Sequence, residues 1–461
     1  MLYRKFEAQI ETFLQNNPNK ILLVNGARQI GKTYLIRHVG TKMFANFVEV
    51  NLKEDKEGPA VFSKVKSTAD FYLQLSSIAG GMLDRKDNTL VFLDEIQSYP
   101  HLLTMLKFLN QEGRFTYIAS GSQLSVALAQ TPSVPIGSIA IEQMYPLDFE
   151  EFLLAMGCGS DVIEHAGVLF SRQEPLSQPL HDFMMRQFKL YLLVGGLPEA
   201  INEFVKTRNI ATVRSIQKYI QELYRLDASQ YDDDHKLVIR RVYDLIPSCL
   251  ENKKKRIVVK DIEPTGRHKQ FQDYYNEFEY ITQSGIALPV QAISNPVFPL
   301  IESEQRNLLK LYLNDVGLLT GILYNMNINA VLDEVKSINL GTVYESVVAQ
   351  ELCAHGFKLH YYDNKKKGEV DFLVDDFERL QVLPIEVKSG KNYTEHSALN
   401  AFVSNPDYHI ARAIVLNNDR EVTSKNGIIY MPIYYCMFLR HTSHQATPLI
   451  LPPLPPSRPR L

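Results

Sequence analysis

Three sets of residues in this chain have the types and spacings that phosphate chemistry needs. The first is Gly26-Ala27-Arg28-Gln29-Ile30-Gly31-Lys32-Thr33, which follows the apolar run Ile21 to Val24 and leads through Tyr34 into a helix-like segment. A turn bounded by glycines, set between a strand and a helix, lets successive backbone N–H groups point at a phosphate chain at the positive end of that helix. In this G-x-x-x-x-G-K-T pattern Lys32 reaches the β- and γ-phosphates of a nucleotide, and the Thr33 hydroxyl ligates the Mg²⁺ that neutralises them. Gly26 to Tyr34 are therefore the expected nucleotide contacts. The second set closes the run Thr89 to Leu93 with Asp94 and Glu95, the form a buried parallel strand takes when its carboxyl end carries chemistry. Asp94 is expected to hold Mg²⁺, and Glu95 to orient or deprotonate an attacking water. Ser120 and Ser122 end a further apolar run from Phe115. Either suits a γ-phosphate sensor, and either equally suits an ordinary helix N-cap.

The third set lies in the last third of the chain. Glu369-Val-Asp-Phe-Leu-Val374 and Leu383-Pro-Ile-Glu-Val-Lys-Ser389 read as two strands. Alternation puts Glu369 and Asp371 on one face of the first, and Glu386 and Lys388 on one face of the second. One site can then receive an acid from one strand and an acid plus a lysine from its neighbour.

The elements that must position these residues follow from the pattern around them. In the first third, strands (Phe47 to Leu52 is another) alternate with helices, which predicts an α/β layer with a parallel sheet. From Ser160 to Arg225 the spacing is helical, broken by Gly195-Gly196-Leu-Pro198. Apolar residues recur at helical spacing from Leu237 to Leu250 and again around Gln270 to Gln283, before the extended run Ile286 to Ile293. Helix, helix and extended run suggest a winged helix, whose second helix can enter a major groove. Lys253 to Arg256, between the helices, reads either as a solvated linker or as a set of phosphate contacts. A helix from Asn339 to Leu352, a strand at His360, a lysine turn at Lys365 to Lys367 and strands at Ile414 and Ile428 complete the last third. The tail Leu451 to Leu461 reads as extended and polyproline-like.

A chain of 461 residues exceeds what one core organises. The expected division is 1–157, 158–335 and 336–445, with 446–461 a Pro-rich tail. A net charge of −3, with 45% hydrophobic and 22% charged residues, is ordinary for a globular protein and leaves partner choice to local patches. Cys158, Cys249, Cys353 and Cys436 form no C-x-x-C pair, so neither a zinc site nor a disulfide framework is expected, which fits a reducing cytosol. Without a signal-like N-terminus or an apolar run near 18 residues, the expectation is a cytoplasmic protein with no membrane partner.

Gly26 to Thr33, Leu90 to Glu95, Ser120-Gly-Ser122, Met144 to Phe152 and Tyr191 to Glu199 together resemble one family. These are the prokaryotic AAA-type ATPases in which a P-loop domain precedes a helical and winged-helix region and then a restriction-endonuclease-like domain. The resemblance covers nearly the whole chain. It implies an α/β fold of those three parts, ATP and Mg²⁺ as cofactors, and Lys32 and Glu95 as catalytic residues. By the same resemblance the last third is similar to a PD-(D/E)XK core, with Glu345 on the preceding helix, Asp371 as first acid and Glu386-Val-Lys388 as the E-x-K element. Asp371 and Glu386 would then bind Mg²⁺, Glu345 would complete or support the metal shell, and Lys388 would stabilise the transition state or help activate water. The usual proline before the first acid is absent. Relatives usually carry a basic residue after the glycine of Pro135-Ile-Gly137, where this chain has Ser138, which implies either slow hydrolysis or an arginine from elsewhere, such as another copy or a protein partner. In the family Gly195 to Pro198 lies near the nucleotide; by its residues alone it is a helix-to-helix turn. The expected function is an ATP-hydrolysing ATPase coupled to a Mg²⁺-dependent, nuclease-like domain acting on DNA or RNA. The alternative is an ATP-dependent regulatory or binding module whose nuclease-like domain does not cut.

Overall fold

A computed structural model describes residues 2–17, 19–131, 137–228, 236–251, 255–263, 269–333, 340–364, 368–390, 393–394 and 396–441. Lys253, Lys254, the Lys365 to Lys367 turn and the Pro-rich tail lie outside the described residues. Five strands, β1 (Ile21–Asn25), β2 (Asn46–Asn51), β3 (Thr89–Asp94), β4 (Thr116–Gly121) and β5 (Ile139–Gln143), form a parallel sheet in the order β2-β3-β4-β1-β5. Its central strands read as unbroken apolar runs because both faces are covered. Leu22, Val24, Leu90, Phe92 and Ile118 belong to one core, whereas Ile21, Leu23, Val91, Leu93 and Tyr117 belong to another. The register pairs Leu93 with Ala119 and Val24 with Ser120, so the carboxyl ends of β1, β3 and β4 lie side by side. That edge is where an open α/β sheet places its ligands.

Helices Gln178–Val194, Pro198–Thr207, Ile210–Ala228 and Lys236–Glu251 follow, then Tyr275–Gln283 and an antiparallel pair, β6 (Ala287–Ile293) and β7 (Glu304–Leu313). The remaining strands are β8 (His360–Asn364), β9 (Gly368–Asp376), β10 (Gln381–Val387), β11 (Ala413–Asn417), β12 (Thr423–Lys425) and β13 (Ile428–Pro432). Parallel pairing of Gln291 with His360 and Ala292 with Tyr361 joins β6 to β8. One eight-stranded sheet, β12-β13-β11-β10-β9-β8-β6-β7, therefore takes strands from both sides of residue 335. Among the described residues no helix is long and apolar enough to cross a membrane, and the four cysteines are free thiols.

Helix Gly341–Ala354 is buried from Thr342 to Cys353, on every side. It packs on β6, β7 and β10 and against the turn Ile433–Phe438. Its polar residues therefore need partners inside the protein. Gln350 accepts from Val316 N at 2.8 Å and donates to the Tyr191 hydroxyl at 2.8 Å. Glu351 Oε1 accepts from Phe149 N at 2.8 Å and from the Tyr191 hydroxyl at 3.2 Å. Beyond the helix, His355 Nε2 lies 3.3 Å from Asp148 Oδ2, which also accepts from Lys5 Nζ at 2.5 Å. Asp148 and Glu151 form a capping box on helix Phe149–Ala155.

Burial, aided by the charge of Asp148, pushes the Glu351 carboxyl up to about 8 from an ordinary 4.5. Between those values the folded protein holds a proton that the unfolded chain has released, so this group lowers stability as pH rises from 4.5 through 8. Glu351→Gln, which keeps a neutral group there, is expected to melt above the wild type at about pH 8.5 and close to it at about pH 5. Thermal denaturation across that range checks this, and two parallel pH profiles would contradict it.

Candidate functional site

The first site is built where β1 ends. Gly26 has φ 151°, and a Cβ there would lie 2.5 Å from Met144 O and 2.7 Å from Ile30 Cδ1, so only glycine fits this approach. Gly31, at φ 93°, starts helix Lys32–Met43 in the left-handed region. Ala27 and Ile30 turn their side chains into the core, leaving backbone groups to line the cradle. Lys32 is buried, and its Nζ donates to Gly26 O at 2.9 Å and Ala27 O at 2.8 Å. Burial pulls that ammonium down to about 8, against the opposing pull of Glu95 and Asp94.

Asp94 is held by two hydroxyls: Thr33 Oγ1 donates to Oδ2 at 2.9 Å, and Ser120 Oγ donates to Oδ1. Neither serine caps the helix that follows. Helix Leu124–Gln130 is N-capped by Gln123 with no side-chain bond, and Ser120 is bonded to the acid instead. Ser122 Oγ is buried with no hydrogen-bond partner among the described residues. Glu95 stands at φ 53° beside Asp94, where Gln97 Nε2 donates to its Oε2 at 2.5 Å. The hard oxygens of Thr33 and Asp94, set together at the mouth of a glycine cradle, fit a Mg²⁺-nucleotide.

Other segments wall this loop. Arg4, before the first helix, donates to Ile30 O at 2.9 Å and Tyr145 O at 2.6 Å. Arg28 is ion-paired with Asp227, and its carbonyl accepts from the Tyr224 hydroxyl at 3.0 Å. Gly195 ends one helix and Pro198 begins the next, so this element is a helix-to-helix turn. It is also at the P-loop, since a Cβ on Gly31 would meet Pro198 Cγ at 3.5 Å. Tyr34 is exposed at the start of its helix. Ser138 lies elsewhere: its carbonyl accepts from Ile21 N at 2.9 Å, at the amino end of β1. The five-residue β1 spans roughly 16 Å, so position 138 is at the opposite sheet edge from the P-loop, and a side chain there cannot sense nucleotide in its own chain.

The second site lies on the larger sheet. The antiparallel register of β9 and β10, with Phe372 opposite Ile385, sets Asp371 beside Glu386, and Val387 N donates to Asp371 Oδ2 at 2.9 Å. Lys388 Nζ donates to Glu386 Oε1 at 2.8 Å. Glu345 reaches the same place from its buried helix, where Lys255 donates to Oε1 and the Tyr312 hydroxyl to Oε2 at 3.3 Å. Burial and then the charge of Asp371 push Glu345 up to about 7 and Glu386 up to about 8. Glu386 Oε2 is buried with no hydrogen-bond partner among the described residues. That oxygen and the Asp371 carboxylate suit a hard divalent cation, which takes one or two carboxylates and completes its shell with water and phosphate. Among the described residues no group of three or more His, Cys, Asp or Glu is arranged as a metal cage. Lys255 covers the third acid instead.

Glu369, expected on the Asp371 face, pairs with Lys310 of β7, whose ammonium also sits 4.3 Å from the centre of the Tyr361 ring. Sequence reasoning left Lys255 in a run open as linker or phosphate contacts, and missed Lys310, Arg4, Tyr224 and Asp227. Only Lys310 left a signal, as a lone cation in the apolar run Leu308 to Leu313.

Residues 18–153 match a family profile described as an AAA domain. Residues 185–328 and 340–436 match profiles described only as domains of unknown function, DUF8612 and DUF4143. Two uncharacterized proteins of Methanocaldococcus jannaschii are similar over most of their length. MJ1544 is 23% identical over 79% of this chain and 75% of its own, and MJ1637 is 22% identical over 93% and 87%. Among solved structures, the Walker-type ATPase PABY2304 of Pyrococcus abyssi aligns with a TM-score of 0.42 at 15% identity, covering 69% of this chain and 95% of that one. The profile match and the parallel sheet make the N-terminal part of this chain an AAA-type ATPase domain.

Proposed function

We propose that this protein binds and hydrolyses ATP between the P-loop and the Asp94-Glu95 pair, and that the cycle controls a phosphodiester-directed site on the larger sheet. The observation that carries the first half is the Thr33–Asp94–Ser120 arrangement beside Lys32. In this reading Lys32 leaves the carbonyls of Gly26 and Ala27 for the β- and γ-phosphates. Thr33 and Asp94 hold Mg²⁺, which when bound offsets phosphate charge, and Ser120 keeps the Asp94 carboxylate turned toward Thr33. Glu95, steadied by Gln97, orients the attacking water and takes its proton.

The second half rests on the convergence of Glu345, Asp371, Glu386 and Lys388 from a helix and two neighbouring strands. Asp371 and Glu386 would hold a divalent cation against a nucleic-acid phosphate, and Lys388 would offset the charge that builds during cleavage. A second reading is favoured by one observation: Lys255 and Lys388 already neutralise two of the acids. In that reading the site recognises a partner and does not cut.

Two assays decide these points. ATP turnover is expected to fall by about a hundredfold or more in Lys32→Ala and in Glu95→Gln, the scale of losing one preorganised charge from a transition state. Full turnover in both variants would remove the ATPase assignment. Incubation with Mg²⁺ and single- and double-stranded DNA and RNA is expected to give cleavage by the wild type that Asp371→Ala and Lys388→Ala lose. Binding without cleavage would select the second reading.

A further inference from the structure

The end of helix Ile210–Ala228 grips the P-loop twice. Tyr224 donates to the main chain of Arg28, and Asp227, one turn later, pairs with its guanidinium. Both side chains of the ion pair are largely buried, 22% exposed for Arg28 and 10% for Asp227. The main chain at Asp227 is held as well, because its carbonyl accepts from the Tyr280 hydroxyl at 2.7 Å. That hydroxyl in turn accepts from Gln123 Nε2 at 2.6 Å, three residues beyond Ser120. One closed ring thus links the P-loop, the end of β4 and two helices that follow the AAA domain. The Asp227 carboxyl is also within electrostatic range of Glu95, Lys53 and Lys32. Its direct partner there is Arg28, a residue of the P-loop itself.

We infer that Asp227 sets the preference of this site between nucleoside di- and triphosphates, by holding Arg28 when no terminal phosphate is present and yielding it when one is. The inference rests on the nucleotide reading given above. A terminal phosphate beside Lys32 and Glu95 brings two negative charges toward a carboxylate that already counts Glu95 as a like-charged neighbour. It also offers Arg28 a better partner, because the guanidinium fork matches phosphate geometry. A diphosphate ends before that position and leaves the pair intact. The rest of the helix is fixed: Arg214 donates to Gly317 O at 3.0 Å and Asn325 O at 2.9 Å, Gln217 to Leu193 O at 2.9 Å, and Gln221 to Leu318 O at 3.0 Å. Displacement of Asp227 is thereby confined to the last turn, from Tyr224 onward. Arg28 and Asp227 together make that turn the part of the chain that reports which nucleotide is bound.

The experiment is calorimetric titration of the full chain, wild type and Asp227→Asn, with ADP and with a non-hydrolysable ATP analogue. Asp227→Asn is expected to tighten the triphosphate about tenfold and the diphosphate far less, as removal of one like charge at an effective dielectric of about 20 requires. A merely structural Asp227 would instead lower the melting temperature and leave the affinity ratio unchanged, which overturns the inference. Hydrogen exchange on the wild type needs no variant: the peptide covering 222–228 is expected to exchange faster with the triphosphate analogue than with ADP, and equal protection overturns the inference. Wild-type protein that binds neither nucleotide overturns the nucleotide reading itself, an outcome separate from binding with an unchanged ratio.

Discussion

A carboxylate taken out of water must be paired by whatever surrounds it, and Asp148 is surrounded by segments from both ends of the chain. Lys5 comes from the first helix, His355 follows the buried helix of the last third, and Glu151 completes the cap in the AAA domain. Burial works to raise the Asp148 carboxyl, but Lys5 and His355 overcome it and hold the group well below the ordinary range. Glu351, beside it, takes the opposite course and keeps its proton, because two neighbouring buried carboxyls cannot both be charged. Lys5 answers the Asp148 charge directly, and Glu351 avoids adding a second one by keeping its proton. The AAA domain is thereby joined to the larger sheet through polar contacts that lose their partners if the two separate.

The segment Met144 to Phe152 gives this seam a consequence for both sites. At its start, Tyr145 shares Arg4 with the P-loop carbonyl of Ile30, and Met144 O sets how closely Gly26 can approach. At its end, Phe149 N is held by Glu351. Glu351 and Glu345 lie about 9 Å apart along one helix at about 1.5 Å per residue. The nucleotide edge and the acidic site are therefore joined by one short segment and fewer than two turns of helix. Rigid contact alone does not couple two sites; coupling needs an element with two arrangements that both sites bias. In the proposal made for Asp227, the last turn of helix Ile210–Ala228 is the element with two arrangements on the nucleotide side, being anchored at one end and tied to the P-loop at the other.

Legibility in the sequence followed the distance between partners. The P-loop and the acid pair were readable because each is a short run whose strand and glycines are adjacent in the chain. Asp371, Glu386 and Lys388 were readable because strand alternation fixes faces without knowledge of the fold. Glu345 came from family resemblance, since nothing local marks a buried helix acid. For Ser120 the sequence left N-cap and γ-phosphate sensor open, and its bond to Asp94 depends on the register of β4 against β3, which no local pattern carries. Lys255 stood in a run of four cations that suits a solvated linker as well as a site, and its partner Glu345 is 90 residues away. Asp227 and Arg28 are more remote still. The pairing of β6 with β8, which makes one sheet out of two expected regions, was invisible for the same reason.

Both candidate sites share a charge arrangement that bears on how ligands enter them. In each, lysines are already engaged by groups of the chain: Lys32 bonds the carbonyls of the P-loop, and Lys255 and Lys388 bond the acids of the larger sheet. Binding at either place is consequently an exchange of partners. The net free energy is the difference between two good sets of hydrogen bonds and is small compared with either set. Small displacements of the segment carrying a lysine then change affinity substantially, because they weaken one side of that difference and leave the other untouched. Lys32 is anchored at a helix start, whereas Lys255 stands outside any helix, with φ 47° at its own backbone. In the function proposed above, the exchange at the acidic site is the one that the intervening helices would control, because Lys255 is not fixed in a helix as Lys32 is.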